Sequence, residues 1–284
     1  MKKTILLAWV LTMLLSCLVA CNSTQGSKGL EFKSNGDGTC YVAGIGDCTD
    51  SMVEIPSVSP DGDRVTSIGE YAFQECTSLT AIVIPDSVTS IGERAFTKCT
   101  GLTAIGIPGS VTSIGRSAFD ECTGLTSIEL PDGVTSIGPC AFAKCSSLTS
   151  IVIPDSVTSI DWWAFQDCTS LTAVVIPDSV TSLGDGPFYG CTGLTSLKIG
   201  NGVSSIDEFM FSNLTSLTSV VIGKNVTNIG SDAFAGCTAL RSITFEGTVK
   251  QWNAITIVFD WNFEVPATAV VCTDGRVGLL RWWV

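Results

Sequence analysis

The sequence repeats one 23-residue phrase along most of its length. The phrase reads Ala-Phe-x-x-Cys-Thr-x-Leu-Thr-x-Ile-x-Ile-Pro-x-x-Val-Thr-x-Ile-Gly. Its phenylalanines recur at one interval, at Phe73, Phe96, Phe119, Phe142, Phe165, Phe188, Phe211 and Phe234. A fixed period of this length marks stacked units that bury their apolar edges only against their neighbours. We therefore predict a solenoid, and we expect its function on an outer surface rather than in a pocket.

The first half of each repeat is predicted to be a β-strand. In residues 79–85 apolar side chains alternate, so Ile82 and Ile84 are predicted to point inward while Ala81 and Val83 point outward. The proline that follows lacks a backbone donor and ends the strand, and Pro-Asp-Ser is typical of a turn.

The second half of the repeat predicts a short extended piece and then a tight turn. Residues 88–91 are extended in this interpretation, and Ala95-Phe96 begins a single helical or 3₁₀ turn that leads to Cys99. A glycine precedes this turn in most repeats, and aspartate replaces it at Asp161 and Asp207. Because aspartate tolerates the left-handed region, we predict a positive φ at this position.

These phrases resemble a known repeat family. L-x-x-I-x-I-P and V-x-x-I-G-x-x-A-F-x-x-C are similar to the BspA-like, treponemal-type leucine-rich repeat, and the similarity covers roughly residues 30–277. The resemblance implies an α/β solenoid of 23-residue coils with a parallel β-sheet on one face and short helical or 3₁₀ turns on the other. It also implies a secreted or surface-anchored protein that adheres to host matrix proteins or to other cells.

The beginning of the chain predicts export. Lys2-Lys3 form a positive region, an apolar stretch follows, and Leu18-Val19-Ala20-Cys21 resembles a bacterial lipobox, which would make Cys21 the lipid-bearing first residue of the mature protein. The alternative is an ordinary secretory signal that is cut near Ala20. We expect a lipid-anchored protein of the bacterial cell envelope, exposed at the outer membrane surface.

The repeat and its flanks predict five segments. They are a signal peptide at 1–20, a flexible tether at 21–29, an N-terminal cap at 30–64, about eight repeats at 65–249, and a C-terminal cap and tail at 250–284. Caps are expected because the end coils of a stack would otherwise expose their apolar edges.

Composition excludes several classes of function. The chain has no histidine, which removes the commonest general base and the usual hydrolase triads. It contains no glycine-rich phosphate loop after a strand. The net charge of −12 repels phosphate backbones. We therefore predict no enzyme, no catalytic residue, no cofactor and no nucleic-acid partner.

Most of the cysteines occupy one repeat position. They are Cys76, Cys99, Cys122, Cys145, Cys168, Cys191 and Cys237, with Leu214 in the one exception. A position that accepts leucine is buried and apolar, so these thiols are predicted to pack as small hydrophobes. Cys40 and Cys48 flank a turn and form a candidate local disulfide. Cys140 and Cys272 stay unassigned.

The outward positions of the strands are the first candidate binding surface. They include Ala81, Val83, Glu129, Val152, Val175 and Lys198. Most of these side chains are small, so a large partner could lie against them. The expected partner is an extracellular protein or a glycan, and the membrane is contacted through the lipid.

Two further features are candidate ligand sites. Trp162 and Trp163 stand where other repeats have mostly polar residues, and at least one indole is expected to be an exposed binding anchor, unless a ring covers the neighbouring turn. Asp132, Asp155 and Asp178 follow the strand prolines and are candidate calcium ligands, with turn capping as the alternative.

Overall fold

The fold is a β-solenoid of about ten coils. The computed structural model describes residues 26–279. The predicted signal peptide and Cys21 lie outside the described residues. In the described part of the chain no helix has the length and apolar character needed to cross a bilayer.

The chain contains many short strands and almost no helix. The first eleven strands are β1 (Glu31–Ser34), β2 (Thr39–Gly44), β3 (Met52–Glu54), β4 (Arg64–Ile68), β5 (Ala81–Val83), β6 (Ser90–Ile91), β7 (Ala104–Gly106), β8 (Ser113–Ile114), β9 (Ser127–Glu129), β10 (Ser136–Ile137) and β11 (Ser150–Val152). The others are β12 (Ser159–Ile160), β13 (Ala173–Ile176), β14 (Ser182–Leu183), β15 (Ser196–Ile199), β16 (Ser205–Ile206), β17 (Ser219–Ile222), β18 (Asn228–Ile229), β19 (Ser242–Phe245), β20 (Thr256–Ile257), β21 (Ala269–Cys272) and β22 (Gly275–Gly278). One helix, α1, covers Val249–Trp252.

Each coil contributes to three walls. The strands β3, β5, β7, β9 and β11 form one parallel sheet. The odd-numbered strands from β13 to β21 form a second parallel arrangement on the same side, and we call this side the long-strand wall. The even-numbered strands from β4 to β20, most of which are two residues long, form the short-strand wall. Tight turns form the third side, the turn wall. The sequence predicted one sheet face, and the structure has two.

Successive coils pair in register. Ser136 lies opposite Ser159 and Ile137 opposite Ile160, one repeat further along the chain. Threonine hydroxyls extend this pairing, since Thr112 Oγ1 donates to the carbonyl oxygen of Thr89 at 3.4 Å. Each coil is therefore hydrogen-bonded to the next through backbone and side chain.

The apolar repeat positions fill the space between the walls. The outward and inward alternation predicted for the strands is confirmed, because Ile82 is buried and Val83 is exposed. The phenylalanine rings stack along the axis, with Phe96 and Phe119 at 5.2 Å between centroids. Each buried ring contributes roughly 1.5–3 kcal/mol by desolvation, and each stacked pair adds about 0.5–1.5 kcal/mol.

The turn wall is not helical, which corrects the helical or 3₁₀ prediction. Arg94 and Lys98 adopt left-handed φ values of 51° and 60°, and equivalent residues in most coils do the same. A left-handed residue interrupts a right-handed helix. It instead directs backbone N–H groups at the next coil, so Arg94, Phe96 and Lys98 donate to carbonyl oxygens one repeat later at 2.7–2.9 Å.

The recurrent glycine has another role than the one predicted. A positive φ is absent at Gly69, Gly92 and Gly115, and it falls two residues later, for example at Tyr71 and Arg94. A Cβ atom at Gly115 would lie 2.7 Å from the carbonyl carbon of Gly92. Glycine is therefore favoured because adjacent backbones approach closely, not because of its φ, although the coils of Asp161 and Asp207 accommodate a Cβ atom at this position.

Both ends of the described chain depart from the repeat. At one end β1 pairs antiparallel with β2, and at the other β21 pairs antiparallel with β22. Ser27, in the predicted tether, donates its N–H to the carbonyl oxygen of Glu54 at 2.8 Å. The part of the tether that the structure describes thus contacts the folded body.

The walls are interrupted near residues 173–191, which we call the joint coil. The long-strand wall has no ladder between β11 and β13, and the short-strand wall has none between β14 and β16. Within residues 26–279 the turn-wall hydrogen bonds also stop between the joint coil and the next one. At this interruption the buried Met210 stands in place of the usual alanine, and the exposed Asp207 stands in place of the usual glycine.

Candidate binding surfaces

The predicted outward residues lie on the outer side of the long-strand wall. Ala81 is partly exposed, whereas Val83 and Glu129 are exposed. Val152 and Val175, on adjacent coils, are 64% and 57% exposed, which is unusual for a β-branched apolar side chain. The two valines form an apolar spot at the interruption between β11 and β13.

Lys198 is already engaged in an ion pair. Its Nζ lies 2.7 Å from Glu246 Oε1, two coils further along the same wall. The hydrogen bond to Glu246 raises the pKa of Lys198. This pair is exposed enough that its contribution to stability is below about 1 kcal/mol. The Lys198 ammonium group is therefore already paired within the long-strand wall.

The two adjacent tryptophans differ in their surroundings. Trp162 is half-buried, meets Trp163 edge to face at 5.3 Å, and lies 5.2 Å below the guanidinium carbon of Arg116. Its backbone N–H donates to Asp161 Oδ1 at 2.8 Å. The indole of Trp162 is therefore covered on one face by the protein itself.

Trp163 is 45% exposed and stands on the turn wall. Its ring leans toward Gly186 in the next coil, where a Cβ atom would lie 3.6 Å from Trp163 Cδ1. This placement agrees with the interpretation that one ring covers the neighbouring turn. The outer part of the indole is still open to solvent.

Two more aromatic residues stand near Trp163 on the turn wall. Tyr189 is 46% exposed and Phe209 is 52% exposed. Phe209 was not among the predicted site residues, although it occupies the same repeat position as Trp163. The sequence signal that could have identified Phe209 is an aromatic residue at a repeat position that is polar in several other coils. In the structure Phe209 adopts a left-handed φ of 54°.

Six of the seven thiols of the cysteine position are buried, as predicted, whereas Cys76 in the first repeat is only partly buried. Cys122 Sγ donates to the carbonyl oxygen of Phe96 at 3.0 Å, and Cys145 and Cys168 make the equivalent contact at 3.2 Å. Burial raises the pKa of Cys122 to about 12. A neutral thiol is a poor nucleophile and a poor metal ligand. The packing role predicted for these residues is thus supplemented by a hydrogen bond.

The disulfide predicted between Cys40 and Cys48 is not formed. Both residues are free thiols. Cys40 lies in β2 and points into the core, where its Sγ donates to the carbonyl oxygen of Asp63 at 3.6 Å. Cys48 is only partly buried and lies on the turn beyond β2. The strand alternation therefore directs the Cys40 side chain inward.

The aspartates after the strand prolines are turn residues. Asp178 accepts hydrogen bonds from the backbone N–H of Asn201 at 2.8 Å and from its side-chain amide at 3.1 Å. These hydrogen bonds lower the pKa of Asp178. Asp132 and Asp155 occupy the equivalent turns. Among residues 26–279 no three acidic or thiol side chains converge in a metal-binding arrangement.

The concavities of the described surface are shallow. One has a volume of about 400 Å³ and is bordered by Lys224, Glu246 and Cys272. It contains none of the residues predicted as sites. Over residues 26–279 the surface therefore consists mainly of broad walls.

The comparison with known families agrees with this architecture. A profile described as "BspA type Leucine rich repeat region" matches residues 53–171 and 137–257, with six copies. The chain belongs to this family. Proteins of the BspA-type family are typically non-catalytic, and membership indicates a protein-binding or structural role.

Solved structures include similar solenoids. A leucine rich repeat protein from T. pallidum is 27% identical, with a TM-score of 0.53, over 75% of this chain and 88% of that one. A leucine rich cell surface protein from Faecalibacterium prausnitzii is 24% identical, with a TM-score of 0.52, over 83% of this chain and 98% of that one. The second likeness concerns the fold alone. No curated protein sequence matches the chain.

Proposed function

We propose that this BspA-type chain is a non-catalytic surface protein that binds another protein through the long-strand wall. The observation that carries the proposal is the pair Val152 and Val175 on adjacent coils, which are the most exposed large apolar side chains that the structure describes on this wall. Exposed apolar side chains of this kind are typical of contact surfaces. Adhesion to host matrix proteins or to other cells is the form of binding that we expect.

Anchoring and location are part of the same proposal. The lipobox-like Cys21 would hold the mature chain at the bacterial outer membrane, facing outward, and the F. prausnitzii relative is described as a cell surface protein. The antiparallel pairs at the two ends would act as caps. Protease treatment of intact cells, followed by mass spectrometry of the released peptides and of the N-terminal residue, tests the location and the lipid together.

The binding test uses the mature chain and single substitutions on different walls. We expect saturable adhesion to immobilised matrix proteins or partner cells, reduced by Val152→Asp and by Val175→Asp. Ser182→Asp is the matched control, since Ser182 is exposed on the short-strand wall of the coil that also carries Val175. Adhesion that is absent, or that all three variants retain equally, contradicts the proposal.

Carbohydrate binding is the second candidate, supported by the exposed ring of Trp163. Glycan-array binding by the intact chain, compared with Trp162→Ala and Trp163→Ala, tests it. Because Arg116 covers Trp162, we expect Trp163→Ala to have the larger effect. If neither the adhesion assay nor the glycan array detects a ligand, a structural role in the cell envelope is the remaining candidate.

A further inference from the structure

Three exposed aromatic side chains lie on three consecutive coils of the turn wall. Trp163, Tyr189 and Phe209 form what we call the aromatic patch, and each is close to half exposed. Coils in a parallel stack are roughly 4.8 Å apart, so Trp163 and Phe209 are about 10 Å from each other along the axis. The patch also spans the edge of the joint coil, where the turn-wall hydrogen bonds are interrupted.

Elsewhere on the turn wall, arginine guanidinium groups stack on aromatic rings. The guanidinium carbon of Arg94 lies 5.7 Å from the ring of Tyr71, and Arg116 lies 5.2 Å from the ring of Trp162. Within residues 26–279 no cation lies over a ring of the aromatic patch. Guanidinium groups thus stack on rings at two places of this wall, whereas the three rings of the aromatic patch have none in the described part of the chain.

The surroundings of the patch are negatively charged. Asp185 precedes Gly186, and Glu208 precedes Phe209. Between residues 161 and 211 of the sequence the only basic residue is Lys198, which lies on the long-strand wall and is paired with Glu246. The nearest cation that the described contacts show is Arg116, which already covers the ring of Trp162 beside the patch. The patch therefore attracts cations and repels anions.

We propose that the aromatic patch binds arginine side chains of an extended, positively charged segment of a partner protein. A guanidinium group stacks on an indole, phenol or phenyl face, and nearby carboxylates neutralise its charge. A neutral sugar could stack on the rings but would gain nothing from the neighbouring carboxylates. The proposal rests on the protein-binding role above and assigns it a second surface on another wall.

The test measures the fluorescence polarisation of a short labelled peptide mixed with the intact mature chain. The probe carries arginine at every third residue among glycine and serine, and a second probe replaces each arginine by neutral citrulline. We expect saturable binding of the arginine probe, weakened by salt, and affinity for the citrulline probe lower by about tenfold or more.

Variants locate the binding on the rings. Trp163→Leu keeps an apolar side chain over Gly186 but removes the aromatic face, and it should weaken binding, as should Phe209→Ala. Tyr71→Ala is the matched control, because it removes a ring that Arg94 already covers, and binding should be unchanged. Circular dichroism of each variant checks that the solenoid is intact.

Three results would overturn the inference. They are equal affinity for the two probes, undiminished binding by the Trp163→Leu, Phe209→Ala double variant, and displacement of the peptide by a neutral oligosaccharide at the same rings. The last result would assign the patch to glycans. Val152→Asp should leave this binding unchanged, so failure here is distinguishable from failure of adhesion through the long-strand wall.

Discussion

The buried thiols should make the protein sensitive to alkaline pH. Burial raises the pKa of Cys122 from 9.0 to about 12, so the folded chain keeps this proton while the unfolded chain loses it. The stability contributed by the thiol is therefore complete below pH 9 and is lost as the pH rises from 9 toward 12. At about pH 10 the unfolded state gains RT ln(1 + 10), or about 1.4 kcal/mol per thiol, relative to neutral pH.

The assay is urea unfolding followed by circular dichroism under reducing conditions, at about pH 7.5 and about pH 10. We expect Cys122→Ala to be less stable at neutral pH but to lose about 1.4 kcal/mol less than the wild type on going to pH 10. Val111→Ala is the control, since Val111 is buried in the same coil and does not ionise. If Cys122→Ala and the wild type show the same alkaline loss, the thiol does not stay protonated in the fold and the reasoning fails.

Three further substitutions test the packing of the coils, each measured as a change in the urea-unfolding free energy. Gly115→Ala should destabilise by about 1–3 kcal/mol, because the added methyl group meets the backbone at Gly92. Phe119→Ala should cost about 3–5 kcal/mol, since it leaves a cavity in a continuous ring stack, and a loss below 1 kcal/mol would contradict the stack. Lys198→Ala should change stability by less than about 1 kcal/mol, and a double-mutant cycle with Glu246→Ala should confirm a small coupling.

The sequence predicted those features that depend on repetition. Because every coil meets an equivalent coil, the 23-residue period alone determined the stacking of Phe96 on Phe119 and the burial of Cys122. Strand alternation likewise determined that Val152 and Val175 face outward. Strand alternation is a local property, and stacking follows from the repetition of one unit. Neither prediction requires the three-dimensional course of the backbone.

Features that depend on contacts between different repeat positions were predicted less well. The glycine at position 115 was interpreted through its own φ, whereas the constraint is the distance to the backbone of the preceding coil. The turn wall was interpreted as helical because its sequence suits a short turn, but inter-coil hydrogen bonds favour left-handed residues such as Arg94. Phe209 was not predicted as a site residue, because its neighbours across the interruption cannot be inferred from one repeat.

We expect the joint coil to give the stack a preferred direction of bending. Residues 173–191 are held to the preceding coil by the short-strand and turn walls, but to the following coil mainly by the pairing of β13 with β15. We expect that pairing to behave as a hinge line, with the opposite side of the molecule free to part. Flexing about this line would change the separation of Tyr189 from Phe209, so that thermal motion of the stack would adjust the surface that we propose as a binding site.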